Sequence, residues 1–275
     1  MKLIHLSDTH FVPDGKKLYG HDPKARLQIA IEDINRNHSD AELVVITGDL
    51  THWGEPDAFS SLASTLDHLK PPVQLLIGNH DERDVFRTYF KNQKHCGDGF
   101  VQSTRNVSAG HFIFLDTVLK GSHAGHLCET RLKWLTDALG DAVGNDIFIF
   151  MHHPPCDLGL KATDKIGLQQ KEAFKSVITP YLDRLRHLFF GHVHRPVAGS
   201  WLGIPISSVR AINHQIWFDL ESEDIVGSFE PPSYCVVLID NDRVVVHYHD
   251  FMDASPKFPS GNSPWNDWAT RFPHP

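Results

Sequence analysis

An α/β fold, a two-sheet β-sandwich flanked by helices with a β-rich C-terminal cap or dimerisation segment, is what this sequence predicts from three observations. Five short apolar runs each end in polar residues, helix-period segments lie between them, and short β-like runs dominate after His194. The first run, Leu3 to Leu6, is broken by Ser7 and Asp8, the form of a buried strand entering a loop. Leu43 to Ile46, Val73 to Ile77, Ile147 to Met151 and Leu188 to Phe190 repeat that form. A Gly54-Glu55-Pro56 start, with Pro suited to a first helical turn, precedes Phe59, Leu62, Leu66 and Leu69 at helical spacing. Leu132, Leu135 and Leu139 mark a second helix, and Phe174, Val177, Ile178 and Tyr181 a third. Between residues 100 and 118 two strand-like runs meet at a Gly-containing turn, which predicts a hairpin at or near a sheet edge.

After His194 the runs Ile204 to Val209, Ala211 to Phe218, Tyr234 to Ile239 and Arg243 to His249 read as strands. The expected organisation is therefore a catalytic core over residues 1–200 and an extension over 201–275 that completes the second sheet and covers the site. The tail from Ser255 is rich in Pro, Gly, Ser and Asn, with Trp265 and Trp268 as its large anchors, and reads as a lid or a loose end.

Composition excludes several classes. Hydrophobic residues make up 41% and charged residues 22% of the 275, ordinary for a folded globular chain and unlike disorder or collagen. A net charge of −8 opposes a nucleic-acid or anionic-membrane partner, since either needs a clustered basic face, so an anionic substrate must be held locally. Cys96, Cys128, Cys156 and Cys235 form no CxxC pair and are too sparse to staple the chain, which suits a reducing compartment. No apolar run approaches the ~18 residues of a membrane span, and the first residues lack a signal-like stretch. A cytoplasmic protein is expected.

The chemistry lies at the ends of the apolar runs: Asp8-Thr9-His10, Gly48-Asp49, Gly78-Asn79-His80-Asp81, His152-His153-Pro154 and Gly191-His192-Val193-His194. Each motif alone is short enough to arise as an ordinary strand-end turn. Together, in one order at successive strand ends, they converge on the edge of an α/β sheet where loops build ligand sites. Imidazole, carboxylate and amide donors without thiolate suit Fe, Mn, Co or Zn rather than Ca²⁺ or a structural zinc.

These motifs resemble the signature of the calcineurin-like metallophosphoesterase superfamily over residues 8 to 194. Ser7 to Phe11, Lys17 to Gly20 and Phe150 to Pro155 are similar to its bacterial glycerophosphodiesterase and class III cyclic-nucleotide phosphodiesterase branch. The resemblance implies one metal held by Asp8, His10, Asp49 and His194, and a second by Asp49, Asn79, His152 and His192, with Asp49 bridging. Two divalent ions less two carboxylates leave a positive site suited to a hydroxide nucleophile and a singly charged diester. His153 could replace His152 if the strand register differs by one.

The resemblance gives His80 phosphoryl stabilisation or leaving-group protonation, with Asp81 either orienting its imidazole or capping the following helix. Substrate-rim candidates are Tyr19, His21, His52, Trp53, His153, His214 and Gln215, beside Asn79 and His80. The expected activity is hydrolysis of small phosphodiesters of the glycerophosphodiester type, with 3′,5′- or 2′,3′-cyclic nucleotides as the alternative. A nuclease and a metal-free interaction protein on the same fold stand behind these. His52-Trp53 is bulkier than the pair the glycerophosphodiesterases commonly carry, and such a Trp could stack on a base. A homo-oligomer, a dimer or larger, is expected from the family and from the apolar run Ile216-Trp217-Phe218.

Overall fold

The computed structural model describes residues 1–258, so the tail with Trp265 and Trp268 lies outside the described residues. In chain order β1 (Lys2–Leu6), α1 (Pro23–Asn37), β2 (Leu43–Thr47), α2 (Pro56–Leu66), β3 (Val73–Leu76) and α3 (Arg83–Tyr89) form the first half. The hairpin β4 (Ser103–Val107) and β5 (Gly110–Phe114) leads to α4 (Glu129–Asp141), β6 (Ile147–Phe150), α5 (Lys161–Asp164), α6 (Lys171–Ile178) and β7 (Leu185–Phe190). There follow β8 (Val197–Trp201), β9 (Ile204–Ser208), the short pair β10 (Gln215–Ile216) and β11 (Gly227–Ser228), then β12 (Tyr234–Ile239) and β13 (Val244–His249).

One sheet has the order β13-β12-β1-β2-β3 and the other β4-β5-β6-β7-β9-β8. Side chains alternate along each strand, so each sheet has two apolar faces to bury. Leu3, Val45, Leu76, Phe112, Phe114, Phe148, Phe150 and Phe189 meet between the sheets. The ring pairs Phe114–Phe150 and Phe150–Phe189 stack there at 5.1 and 4.9 Å. The opposite faces pack on helices: Ile4, Val44 and Ile46 against Leu27, Ile31, Phe59 and Leu62, and Ile113, Ile149 and Leu188 against Leu135, Leu139 and Phe174. Four layers result, helix–sheet–sheet–helix, as the sequence predicts. The hairpin lies at the edge of its sheet.

Three features differ from expectation. Helix α1 was not read from the sequence, although Asp22 caps it by accepting from Ala25 N at 3.1 Å and Leu27, Ala30, Ile31 and Ile34 form its buried stripe. Of Ala211 to Phe218, only Gln215 and Ile216 are strand. The Gln215 amide bonds both the N–H and the carbonyl of Ala211, and the N–H groups of Ile212 and Asn213 donate to Ser7 and Asp8, so the segment closes as a loop on the site. The late strands also divide: β9 joins the six-stranded sheet, whereas β12 pairs with β1 (Leu3 opposite Val237) and carries β13 into the five-stranded one. Among the described residues no helix is long and apolar enough to cross a membrane.

Glycines let the loops approach. A Cβ on Gly191 would lie 2.0 Å from Ser7 Oγ and 3.1 Å from Asp8 Oδ2, whereas one on the exposed α4 residue Gly140 would meet nothing. Gly191→Ala should destabilise by about 1–3 kcal/mol through overpacking, and Gly140→Ala should stabilise by up to about 1 kcal/mol through helix propensity. Urea denaturation of both variants checks this; equal effects would refute it.

Candidate metal centre

Strands β1, β2 and β3 run parallel, as do β5, β6, β7 and β9, so their C-terminal ends open on one edge. Asp8, Asp49, Asn79, His152 and His192 follow β1, β2, β3, β6 and β7 there. Five of the candidate ligands hold left-handed backbone: Asp8 (φ 56°), His10 (46°), Asp49 (48°), His192 (70°) and His194 (51°). Such conformations cost non-glycine residues about 1–3 kcal/mol each and persist only where their surroundings impose them. Here Asp8 N donates to Gly48 O at 3.0 Å, His10 N to Asp49 O at 2.9 Å, and Gly191 N to His152 O at 3.0 Å. The loops hold one another in the strained form.

Asp8, His10, Asp49 and His194 offer ligand atoms all within 4.8 Å of each other, every one buried. His10 Nε2 lies 3.1 Å from His194 Nε2 and 3.7 Å from Asp49 Oδ2, and His194 Nε2 lies 3.3 Å from Asp8 Oδ1. Asp49 also faces the other group: its Oδ2 is 3.3 Å from His152 Nε2, while Asn79 Oδ1 is 3.2 Å from His152 Nε2 and 3.0 Å from His192 Nδ1.

Proton accounting shows what this arrangement lacks. His152 Nδ1 donates to Thr47 O at 2.7 Å and His194 Nδ1 to His214 O at 2.7 Å, so in the neutral rings both Nε2 atoms are lone pairs. Each then points at a carboxylate oxygen, acceptor against acceptor. Asp8 Oδ1 has no hydrogen-bond partner among the described residues. Only a positive centre makes such a cluster favourable, and the donors fit transition-metal ions. The protein's own titration reflects the same demand: burial opposes a charge on His152, yet Asp49 and Asp8 lift it to about 9. Burial would raise Asp49, but His152 and His80 hold it well below the usual carboxylate range. A proton there substitutes electrostatically for the metal.

Above the cluster a cavity of about 520 Å³ is lined by the candidates Tyr19, His52, Trp53, Asn79, His80, His214 and Gln215. Burial first, then the neighbouring His80, lowers His52 to about 4, and burial with His194 takes His214 to about 2, so both stay neutral rims. His80 Nδ1 donates to His52 O at 2.8 Å, which leaves its Nε2 as the ring's remaining polar atom.

Other residues stand differently from expectation. Asp81 neither orients His80 nor caps α3, whose N-cap is Glu82. Its carboxylate accepts from the N–H groups of Leu50, Thr51 and Gly78 and from Thr51 Oγ1 at 2.8–2.9 Å, tying two motif loops together. His153 is buried and does not line the cavity; a ring nitrogen lies within 4.8 Å of those of His152 and His192, but Nδ1 is 2.7 Å from Thr117 Oγ1 and Nε2 3.1 Å from His123 O. His21 lies outside the lining, against Arg26 Nη2 and edge-on to Phe229. Gln215 lines the cavity but spends its amide on Ala211. His123, Ile166, Ile225 and Phe229 also line it and were not foreseen, since they sit on loops with no strand-end signal; Ile216 of β10 lines it too.

Paired buried His/Asp clusters at the open edge of a helix-flanked two-sheet sandwich define a metallophosphoesterase. The family model described as calcineurin-like phosphoesterase matches residues 1–196, and the chain belongs to that family, as a phosphoester hydrolase. It is 43% identical over 265 residues to a probable cyclic nucleotide phosphodiesterase of Rhodopseudomonas palustris, covering 94% of this chain and 95% of that one. It is 28% identical over 245 residues to a glycerophosphodiester phosphodiesterase of Enterobacter lignolyticus, covering 85% of each. A dimetal phosphatase from Danio rerio shares the fold, with TM-score 0.69 at 16% identity over 92% of this chain and 96% of that one.

Because an Asp49 oxygen lies within 3.3–3.7 Å of ring nitrogens in both clusters, Asp49→Ala should retain less metal than Asp8→Ala. Elemental analysis after desalting checks this, and an Asp49→Ala protein that keeps two ions would exclude a shared carboxylate.

Proposed function

We propose that this chain is a dinuclear metal-dependent phosphodiesterase whose preferred substrates are cyclic nucleotides, reversing the order expected from sequence, which placed glycerophosphodiesters first. The observation that carries the reading is the cavity lining. Beside the polar cluster it presents Ile166, Ile216, Ile225 and Phe229 together with the exposed rings of Tyr19 and Trp53. A flat base can use such apolar and aromatic surface, whereas a glycerol group brings only hydroxyls. The 43% identical relative supports this substrate class; the Enterobacter relative supports glycerophosphodiesters as the second reading.

In this reading Asp8, His10, Asp49 and His194 hold one ion, and Asp49, Asn79, His152 and His192 the other, drawn from Fe, Mn, Co or Zn. The bound pair would supply Lewis acidity and a water of lowered pKa. His80, anchored through Nδ1 to the His52 carbonyl, is fixed with Nε2 available to a leaving oxygen, and donates a proton there when its ring is charged. Tyr19, Trp53 and Phe229 orient the remainder of the substrate at the mouth.

The exposed side chains Trp217 (56%) and Phe218 (55%) support a homo-oligomer assembled partly through this segment. Sedimentation at micromolar concentration should give a dimer or larger; a monomer would remove that part of the reading.

With metal-reconstituted protein, kcat/KM for 3′,5′- and 2′,3′-cyclic nucleotides should exceed that for glycerophosphodiesters, and the reverse ranking would overturn the substrate assignment. His80→Ala should lower kcat on alkyl diesters by about 10²–10⁴-fold while sparing nitrophenyl diesters, whose leaving group needs no proton. Equal losses on both would exclude the acid role.

A further inference from the structure

Asn79 differs from the other proposed ligands in that its side chain can present the wrong end. Its amide carries an acceptor and a donor of nearly the same shape, and only the carbonyl oxygen can face a cation. Oδ1 points toward His152 Nε2 and His192 Nδ1, while Nδ2 lies 3.0 Å from His123 Nδ1. An amide N–H only donates, so His123 Nδ1 is the acceptor that distinguishes this orientation from its half-turned alternative. With Nδ1 accepting, the neutral ring carries its proton on Nε2.

The backbone of His123 is held in turn. Its carbonyl accepts from His153 Nε2–H at 3.1 Å, and His153 Nδ1, a lone pair in the neutral ring, takes the Thr117 hydroxyl at 2.7 Å. His153 is wholly buried, and Gly125 makes room for it, since a Cβ there would lie 2.5 Å from His153 Cγ. His123 itself is exposed at the cavity wall, so core packing does not account for its place.

We propose that His123 is a positioning residue: it keeps Asn79 Oδ1 turned toward His152 and His192, and the second histidine of His152-His153 serves to fix the His123 backbone. The inference rests on the dinuclear reading above. Groups that orient a metal ligand typically change affinity by about 10–100-fold when lost.

The test is calorimetric titration of Mn²⁺ into the metal-stripped full chain. His123→Phe keeps a ring without the acceptor; His123→Asn places an amide oxygen near the Nδ1 position. For wild type two ions should bind. In His123→Phe the affinity of one ion should fall about tenfold or more with the other unchanged, and His123→Asn should recover it to within about threefold of wild type. Two ions of unaltered affinity in His123→Phe, equal weakening of both, or no recovery with Asn would each overturn the proposal. A wild-type chain binding fewer than two ions would instead remove the dinuclear reading, and this inference with it.

Discussion

The structure depends on electron pairs being packed against one another at a buried edge. Asp8, Asp49, His152 and His194, all buried, and the half-buried Asn79 turn lone pairs toward one another across two adjoining clusters, with separations near 3.3 Å. Without positive charge this edge would repel itself, and the elements beneath it would gain from moving apart. The two sheets, clamped by the phenylalanine layer between them, resist that movement. The rigid core therefore works against local electrostatics, a conflict that a bound metal ion would relieve.

The same division of labour appears in the backbone. Left-handed residues at five positions are tolerated because each loop is bonded to the next, and Asp81 ties the Gly48-Asp49 and Gly78-Asn79 segments with a fully occupied carboxylate. A residue expected at the chemistry spends its carboxylate on the frame around it. His153, next to His152 in sequence, has its ring 4.6 Å from that of His192 yet gives its two nitrogens to Thr117 and the His123 carbonyl.

How much could be read beforehand follows from what each feature imprints locally. Strands covered on both faces leave apolar runs, unbroken in β2 and β6 and interrupted by one polar residue in β1 (His5) and β3 (Gln74), so these four were legible. The start of β7 was hidden by His187, a polar residue accepted in the interior because Ser207 Oγ meets it at 2.8 Å. Helix α1 was overlooked because its stripe is interleaved with Arg26, Glu32 and Asp33. The motif residues were legible since a rigid strand delivers each one. His123 was not: it reaches Asn79 across 44 residues from a loop without a flanking run. The bonds of Asp81 were not legible, because three backbone N–H groups and a hydroxyl on a carboxylate leave no mark in sequence distinct from that of a catalytic acid. The division of the late strands between two sheets is a matter of pairing partner, which the apolar pattern of a single strand does not specify.

The return of β12 to the side of β1 has a consequence for the order in which the molecule is made. Lys2 to His5 face Leu238 to Cys235, so the strand carrying the first two candidate ligands pairs with residues that leave the ribosome more than two hundred positions later. Until then β1 has a partner in β2 on one side and an open edge on the other, and β7, which delivers His192 and His194, arrives late as well. Pairings of such sequence separation are slow to form. Asp8, His10, Asp49 and Asn79 therefore emerge well before His152, His192 and His194, and the sheet that carries the first of them closes only when β12 has been made.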